Sequence, residues 1–160
     1  EISGTLDLGN FVLTAKADRI DLLQDGSLVV LDYKTGTPPS AREVAAGFSP
    51  QLPLEALIAR HGGFPGIPAG RTVSSLLYWH LKGSSAGGEE KNACATGLSP
   101  DRLADQALEG LKGLVEAFSR ADTPYEARPH PGKAPAWPDW LHLARVREWT
   151  AAAETDGSDA

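Results

Sequence analysis

The sequence has a single cysteine, Cys94, and no methionine among its 160 residues. One thiol excludes an internal disulfide framework and any zinc or iron–sulfur site built from the cysteines of one chain. Long hydrophobic runs are missing as well. No stretch has the apolar length that a membrane helix needs, and no signal-peptide pattern opens the chain. Positive charge is scarce, with 15 Lys and Arg against 21 Asp and Glu and a formal net charge of −6. That balance disfavours a domain that holds DNA unaided, because affinity for DNA rests largely on phosphate neutralisation. The chain begins at Glu1 rather than at a methionine, as a segment excised from a longer protein would. Its length suits one domain with one core.

The informative stretch runs from Asp18 to Lys34. Leu28-Val29-Val30-Leu31 is apolar and β-branched enough for a buried strand, yet it leads directly into Asp32-Tyr33-Lys34. Charges at the end of a buried strand need partners or a task. Side chains alternate along a strand, so Asp32 and Lys34 share one face and Tyr33 takes the other. The turn around Asp25-Gly26 decides where Asp18 points. A two-residue turn sets Asp18 opposite Tyr33. A three-residue loop, Gln24-Asp25-Gly26, sets it opposite Asp32 and suits Gly26 to the left-handed third position. The second register also places Ile20, Leu22, Leu28 and Val30 on one apolar face and is preferred, although a bulge would change the count. Two carboxylates facing each other repel unless a hard divalent cation lies between them. Such a cation steadies charge on a phosphoryl oxygen, and Lys34 beside it can stabilise developing negative charge.

These residues resemble the D…(D/E)xK signature of the PD-(D/E)xK nuclease superfamily. More narrowly, Ala17-Asp18-Arg19-Ile20-Asp21, Asp32-Tyr33-Lys34-Thr35-Gly36 and Gln51-Leu52-Pro53-Leu54 together resemble the RecB-type nuclease domain, nearest to the C-terminal nuclease domain of the AddB subunit of AddAB helicase–nucleases. The resemblance implies a restriction-endonuclease-like α/β (α+β) fold, with a mixed central sheet flanked by helices. The first core helix of that fold, which often brings a histidine ligand, is not in this sequence. The implied activity is Mg²⁺-dependent hydrolysis of DNA phosphodiester bonds during break processing, with Mn²⁺ as a substitute. Asp18 and Asp32 are the implied metal ligands together with the backbone carbonyl of Tyr33. Lys34 assists the attacking water, and Gln51 positions a phosphate or the lysine. The implied partners are DNA, an AddA-type subunit and the rest of an AddB chain, in the bacterial cytoplasm and without a membrane. RecB-type domains often carry a tyrosine four residues after the glutamine; here that position is Glu55, and the tyrosine's DNA contact does not carry over. Some AddB proteins hold a four-cysteine iron–sulfur staple, which this chain cannot build. The same shortage speaks against a Cas4-like nuclease. A stand-alone RecB-like nuclease and a non-catalytic DNA-binding or docking module are the other readings.

The remainder of the chain gives supporting structure. A strand is expected over Glu1 to Asp7 and another over Phe11 to Leu23, with Arg19 and Asp21 forming an outer ion pair. Glu1 is a possible further acid near the site, or simply a chain end. Ser40-Ala41-Arg42-Glu43 is a capping box. Ser49-Pro50 starts a second helix, with Ser49 as N-cap, and Gly62-Gly63 stops it. A strand is expected over Arg71 to Lys82, with Val73, Ser75, Leu77, Trp79 and Leu81 on one face, Leu76, Tyr78 and His80 on the other, both sides partly covered, and His80 packed rather than ligating. Gly83 to Ala93 reads as a loop. Ser99-Pro100 begins a helix whose stripe of Leu103, Ala107, Leu111, Leu114, Val115 and Phe118 is core. The nuclease domain is expected over 1–150, with its core at about 1–82 and a C-terminal helical part at 99–150. His130 and His142 have no ligand geometry, and 151–160 is expected to be disordered.

Overall fold

The computed structural model of the protein describes residues 1–83 and 87–125. Contacts divide the chain into Glu1–Arg120 and Ala121–Ala160, and the helices and strands of the described residues all lie in the first unit. The expectations for the Pro-rich stretch, His130, His142, the final helix and the tail fall outside the described residues.

Strands β1 (Ile2–Asp7) and β2 (Val12–Ala17) pair antiparallel as a two-stranded sheet. Strands β3 (Arg19–Leu22), β4 (Leu28–Lys34), β5 (Val73–His80) and β6 (Glu89–Asn92) form a second sheet in that order. β3–β4 and β5–β6 are antiparallel and β4–β5 is parallel, so this sheet is mixed. A parallel neighbour requires a long crossover. Helices α1 (Ala41–Ala45) and α2 (Gln51–Arg60) supply it, and α3 (Pro100–Ser119) follows β6.

The β3–β4 hairpin has the register preferred from the sequence. Ile20 faces Val30 and Leu22 faces Leu28. Leu23 and Ser27 close the loop through a 2.9 Å backbone bond, and Gly26 takes a φ of +81°. Asp25 accepts from the Ser27 amide at 2.9 Å, which adds an Asx-type lock to the turn.

α2 is the centre of the core. Leu52, Ala56, Leu57, Ile58 and Ala59 are all fully buried, because the helix packs against β1 and β2, against β4 and β5, and against α3. A helix covered on several sides is apolar nearly all round rather than striped. Gly63, just past its end, accepts from the Thr5 amide at 3.0 Å and ties β1 to the helix. A Cβ on Gly63 would collide with the Thr5 carbonyl and the Ile58 side chain. Gly63→Ala is therefore expected to destabilise the fold by about 2–3 kcal/mol, read as a lower urea midpoint at unchanged slope.

Several sequence expectations need correction. Phe11–Leu23 is not one strand: it breaks at Asp18, and its halves join different sheets. Leu22 is 52% exposed, at the end of β3, which is an edge strand among the described residues. The second helix starts at Gln51 with Pro50 at the cap and no capping side chain, so Ser49 does not cap it. On β5 a register shift beside Val73 changes the phase, and the buried residues Val73, Leu76 and Tyr78 come from both of the faces expected to be partly covered. The stretch expected as a loop at Gly83–Ala93 contains β6, which has little intrinsic strand preference and forms by pairing with β5. On α3 only Leu103 and Ala104 are buried, while Leu114 is 58% exposed. The Ser40 capping box is present, with both reciprocal bonds, and Ser99 caps α3.

Candidate active site

β4 delivers the site. Leu28 and Val30 point from it into the core, and the same face continues to Asp32 and Lys34 at the strand's C-terminal end. There the core face meets the first turn of α2 and its Gln51. Asp32 is 2% exposed. Lys34 Nζ donates to Asp32 Oδ1 at 3.0 Å and to Gln51 Oε1 at 3.3 Å. Gln51 Nε2 donates to Asp32 Oδ1 at 2.7 Å. The three side chains are thus a closed triangle of hydrogen bonds, formed from residues 17 and 19 positions apart in sequence. Tyr78, opposite Asp32 on β5, places its ring 6.0 Å from Lys34 Nζ. Burial, then Asp32, pushes its phenol up to about 12, so it is neutral at ordinary pH.

Asp18 occupies the break between β2 and β3, just beyond the first pair of the β3–β4 ladder. Its Oδ2 accepts from the Tyr33 backbone amide at 2.9 Å. The hairpin therefore brings Asp18 to the same end of β4 as Asp32, although Asp18 is held by the backbone there.

Asp32 Oδ2 is a buried acceptor with no well-aligned hydrogen bond among the described residues; Lys34 Nζ lies 2.7 Å away as an ion-pair contact. An ionised carboxylate has about four acceptor positions, and the contacts with Lys34 and Gln51 leave part of them unused. Among the described residues no three Asp, Glu, His or Cys side chains stand close enough together to enclose a metal ion. Two carboxylates and a backbone carbonyl, with waters completing the shell, are nevertheless the donors that Mg²⁺ accepts, and the buried Asp32 Oδ2, which lies against the Lys34 ammonium without an aligned hydrogen bond, fits that use.

The opposite face of the sheet carries a different set. The Tyr33 ring packs edge-on to Trp79, with centroids 5.7 Å apart, and Arg19 lies 5.3 Å from the Trp79 ring. The expected Arg19–Asp21 ion pair is present at 2.7 Å. Glu1 pairs with Lys16 on the two-stranded sheet, and Lys16 holds its carboxyl below the usual carboxylate range. His80 is partly buried, and its Nδ1 is buried without a hydrogen-bond partner among the described residues.

One residue at the site was not singled out from the sequence. Glu55 is 1% exposed, and its Oε1 accepts from Gln51 Nε2 at 3.1 Å. Burial, with Asp32 and Asp18 nearby, pushes its pKa up to about 7 against the opposing hydrogen bond from Gln51. The signal was present: a single acid inside the apolar run Leu52 to Ala59, four residues after Gln51 and so on the same helix face.

A family model, the PD-(D/E)XK nuclease superfamily, matches residues 1–134. The chain belongs to the PD-(D/E)XK nuclease superfamily. Its mixed sheet flanked by helices is consistent with the restriction-endonuclease-like form of that superfamily. An uncharacterized protein of Rickettsia bellii is 41% identical over 68 residues, which is 40% of this chain and 8% of the relative. An uncharacterized protein of Rickettsia typhi matches to the same extent, and one of Rickettsia conorii is 46% identical over 48 residues, 30% of this chain and 6% of that protein. The chain thus spans less than a tenth of the length of these relatives. No solved structure gives a significant match. Among the described residues no helix is long and apolar enough to cross a membrane.

Proposed function

We propose that the chain is a metal-dependent DNA nuclease domain that hydrolyses phosphodiester bonds at the C-terminal end of β4. The observation that carries this reading is the hydrogen-bonded triangle of Asp32, Lys34 and Gln51, with Asp18 drawn to the same strand end. Asp18, Asp32 and the Tyr33 carbonyl would hold Mg²⁺, or Mn²⁺ in its place. When bound, the cation supplies charge stabilisation at a phosphoryl oxygen and activation of a water.

The side chains have separate tasks. Lys34 keeps a positive charge beside the carboxylates, where it can orient an attacking water and steady the developing negative charge on the phosphate. Gln51 holds the ammonium in place through its carbonyl oxygen and holds Asp32 through its amide. The half-buried position of Lys34 and the exposure of Gln51 leave the triangle open to a strand of DNA on one side.

The three motifs, in their order and spacing, further support a domain of an AddB-type subunit that works on broken DNA ends beside an AddA-type helicase–nuclease in the bacterial cytoplasm. Tethering to a larger DNA-binding machine would also explain how an acidic domain meets DNA at all. The test is incubation of linear single- and double-stranded DNA with the purified chain in Mg²⁺ or EDTA. Cleavage in Mg²⁺ alone, lost in Asp32→Ala and Lys34→Ala, is the expected outcome. Cleavage that survives both substitutions would place the activity elsewhere. No cleavage, with no stabilisation of the fold by Mg²⁺, would leave a DNA-guiding or docking module.

A further inference from the structure

We infer that Glu55 is a positioning residue that sets the orientation of the Gln51 side-chain amide and, through it, of Lys34. The inference rests on the nuclease reading for its catalytic consequence but not for its structural content.

A glutamine amide is nearly symmetric in shape, and either end can be turned toward a neighbour. Its two ends are chemically opposite, one being an acceptor and the other a pair of donors. Here the NH₂ group meets two carboxylate oxygens, Asp32 Oδ1 at 2.7 Å and Glu55 Oε1 at 3.1 Å. Both of its protons are therefore used, and the carbonyl oxygen is left facing Lys34 Nζ at 3.3 Å. The reversed amide would set its oxygen against those same two oxygens and its NH₂ against an ammonium. With Asp32 as the sole acceptor, one N–H would be free and the reversed form less disfavoured.

Glu55 is well placed to enforce this. It lies one helical turn beyond Gln51 on α2, between Leu52, Ala56 and Leu57, which are all fully buried. Rigid helical attachment is what a positioning group requires. Its second oxygen, Oε2, is buried with no hydrogen-bond partner among the described residues. A buried polar group left half-satisfied is a cost to the fold, and such costs concentrate at sites where the group has a task. Apart from Gln51, its near neighbours on the helix are apolar, so the bond from Gln51 is the polar contact that its carboxyl group makes there.

A double-mutant cycle tests the inference. DNA cleavage in Mg²⁺ is measured for the wild-type chain, Glu55→Ala, Glu55→Gln, Gln51→Ala and Gln51→Ala/Glu55→Ala. Action through Gln51 means that Glu55→Ala lowers kcat about tenfold in the wild-type background and hardly at all in the Gln51→Ala background. Glu55→Gln, whose amide oxygen still accepts from Gln51, should retain activity within about threefold of wild type. Equal losses from Glu55→Ala in both backgrounds would overturn the inference, as would a Glu55→Gln variant as weak as Glu55→Ala. A readout independent of cleavage is the pair of Gln51 side-chain amide protons in a ¹⁵N spectrum, assigned by their loss in Gln51→Ala. One of the two is expected to shift to a free-amide position in Glu55→Ala and to stay in place in Glu55→Gln. No shift in Glu55→Ala would overturn the inference even in a fully active enzyme. The expected shift in a protein that cuts no DNA would sustain the positioning role and remove the nuclease reading.

Discussion

Asp32→Ala is expected to lower DNA cleavage by at least about a thousandfold and, at the same time, to abolish the stabilisation of the fold by Mg²⁺ or Mn²⁺. Lys34→Ala is expected to lower cleavage by about a hundredfold or more while the metal continues to raise the melting temperature. The two outcomes separate because the side chains have different tasks. Asp32 brings a buried oxygen with no aligned donor, suited to a cation. Lys34 brings a positive charge that competes with a cation for the same carboxylate, at 2.7 Å from Asp32 Oδ2. Removing the lysine should, if anything, tighten metal binding while destroying turnover. Thermal melts with and without metal, run beside a cleavage assay, read both effects from one preparation. Metal stabilisation lost in both variants, or kept in both, would contradict this division of labour.

Glu55→Gln should make the metal-free protein more stable at pH 8 than the wild type by on the order of 3 kcal/mol, while at pH 4.5 the two should be nearly equal. The sign follows from burial. The folded protein holds the Glu55 proton up to about pH 7, against an ordinary value of 4.5. Between these values the folded state binds more protons than the unfolded state, so stability falls as pH rises through that window and stays low above it. A glutamine cannot ionise and carries no such penalty. Urea unfolding of both proteins in EDTA at pH 4.5, 6 and 8 measures the difference directly. A constant difference across the three pH values would show that Glu55 does not titrate in this window. The wild-type penalty near neutral pH is also the kind of local conflict that a site tolerates when the group is needed.

Much of this site is legible in the sequence. The β3–β4 register followed from the loop chemistry of Gln24-Asp25-Gly26 and from the pairing of Ile20 with Val30, and the structure has that pairing. The alternation of Asp32, Tyr33 and Lys34 is a property of any strand, and it sends two charges to the core face and the aromatic ring to the other. Gln51 was found through its motif rather than its environment, and it does meet both Asp32 and Lys34.

What escaped had tertiary causes. The break at Asp18 interrupts a regular alternation, and nothing local says that Val12–Ala17 and Arg19–Leu22 belong to different sheets. The register shift beside Val73 is set by how β5 meets β4, so counting residues along β5 does not show that full burial passes from Val73 to Leu76 and Tyr78. Glu89–Asn92 is polar and becomes a strand only because an edge of β5 is there to pair with. Glu55 was read as the absence of a tyrosine, when its position in an apolar helix segment was itself the clue. Residues 126–160 lie outside the described structure, so the reading of the C-terminal part stays an expectation.

The central claim is that one divalent cation is held at the end of β4 between Asp18 and Asp32. The most direct measurement is anomalous diffraction at the manganese edge from crystals of the protein grown in Mn²⁺. The expected result is a peak in contact with both carboxylates and the Tyr33 carbonyl, with Lys34 alongside. A peak on other residues, or none at saturating Mn²⁺ with Asp18 still bound only to the Tyr33 amide, would contradict it.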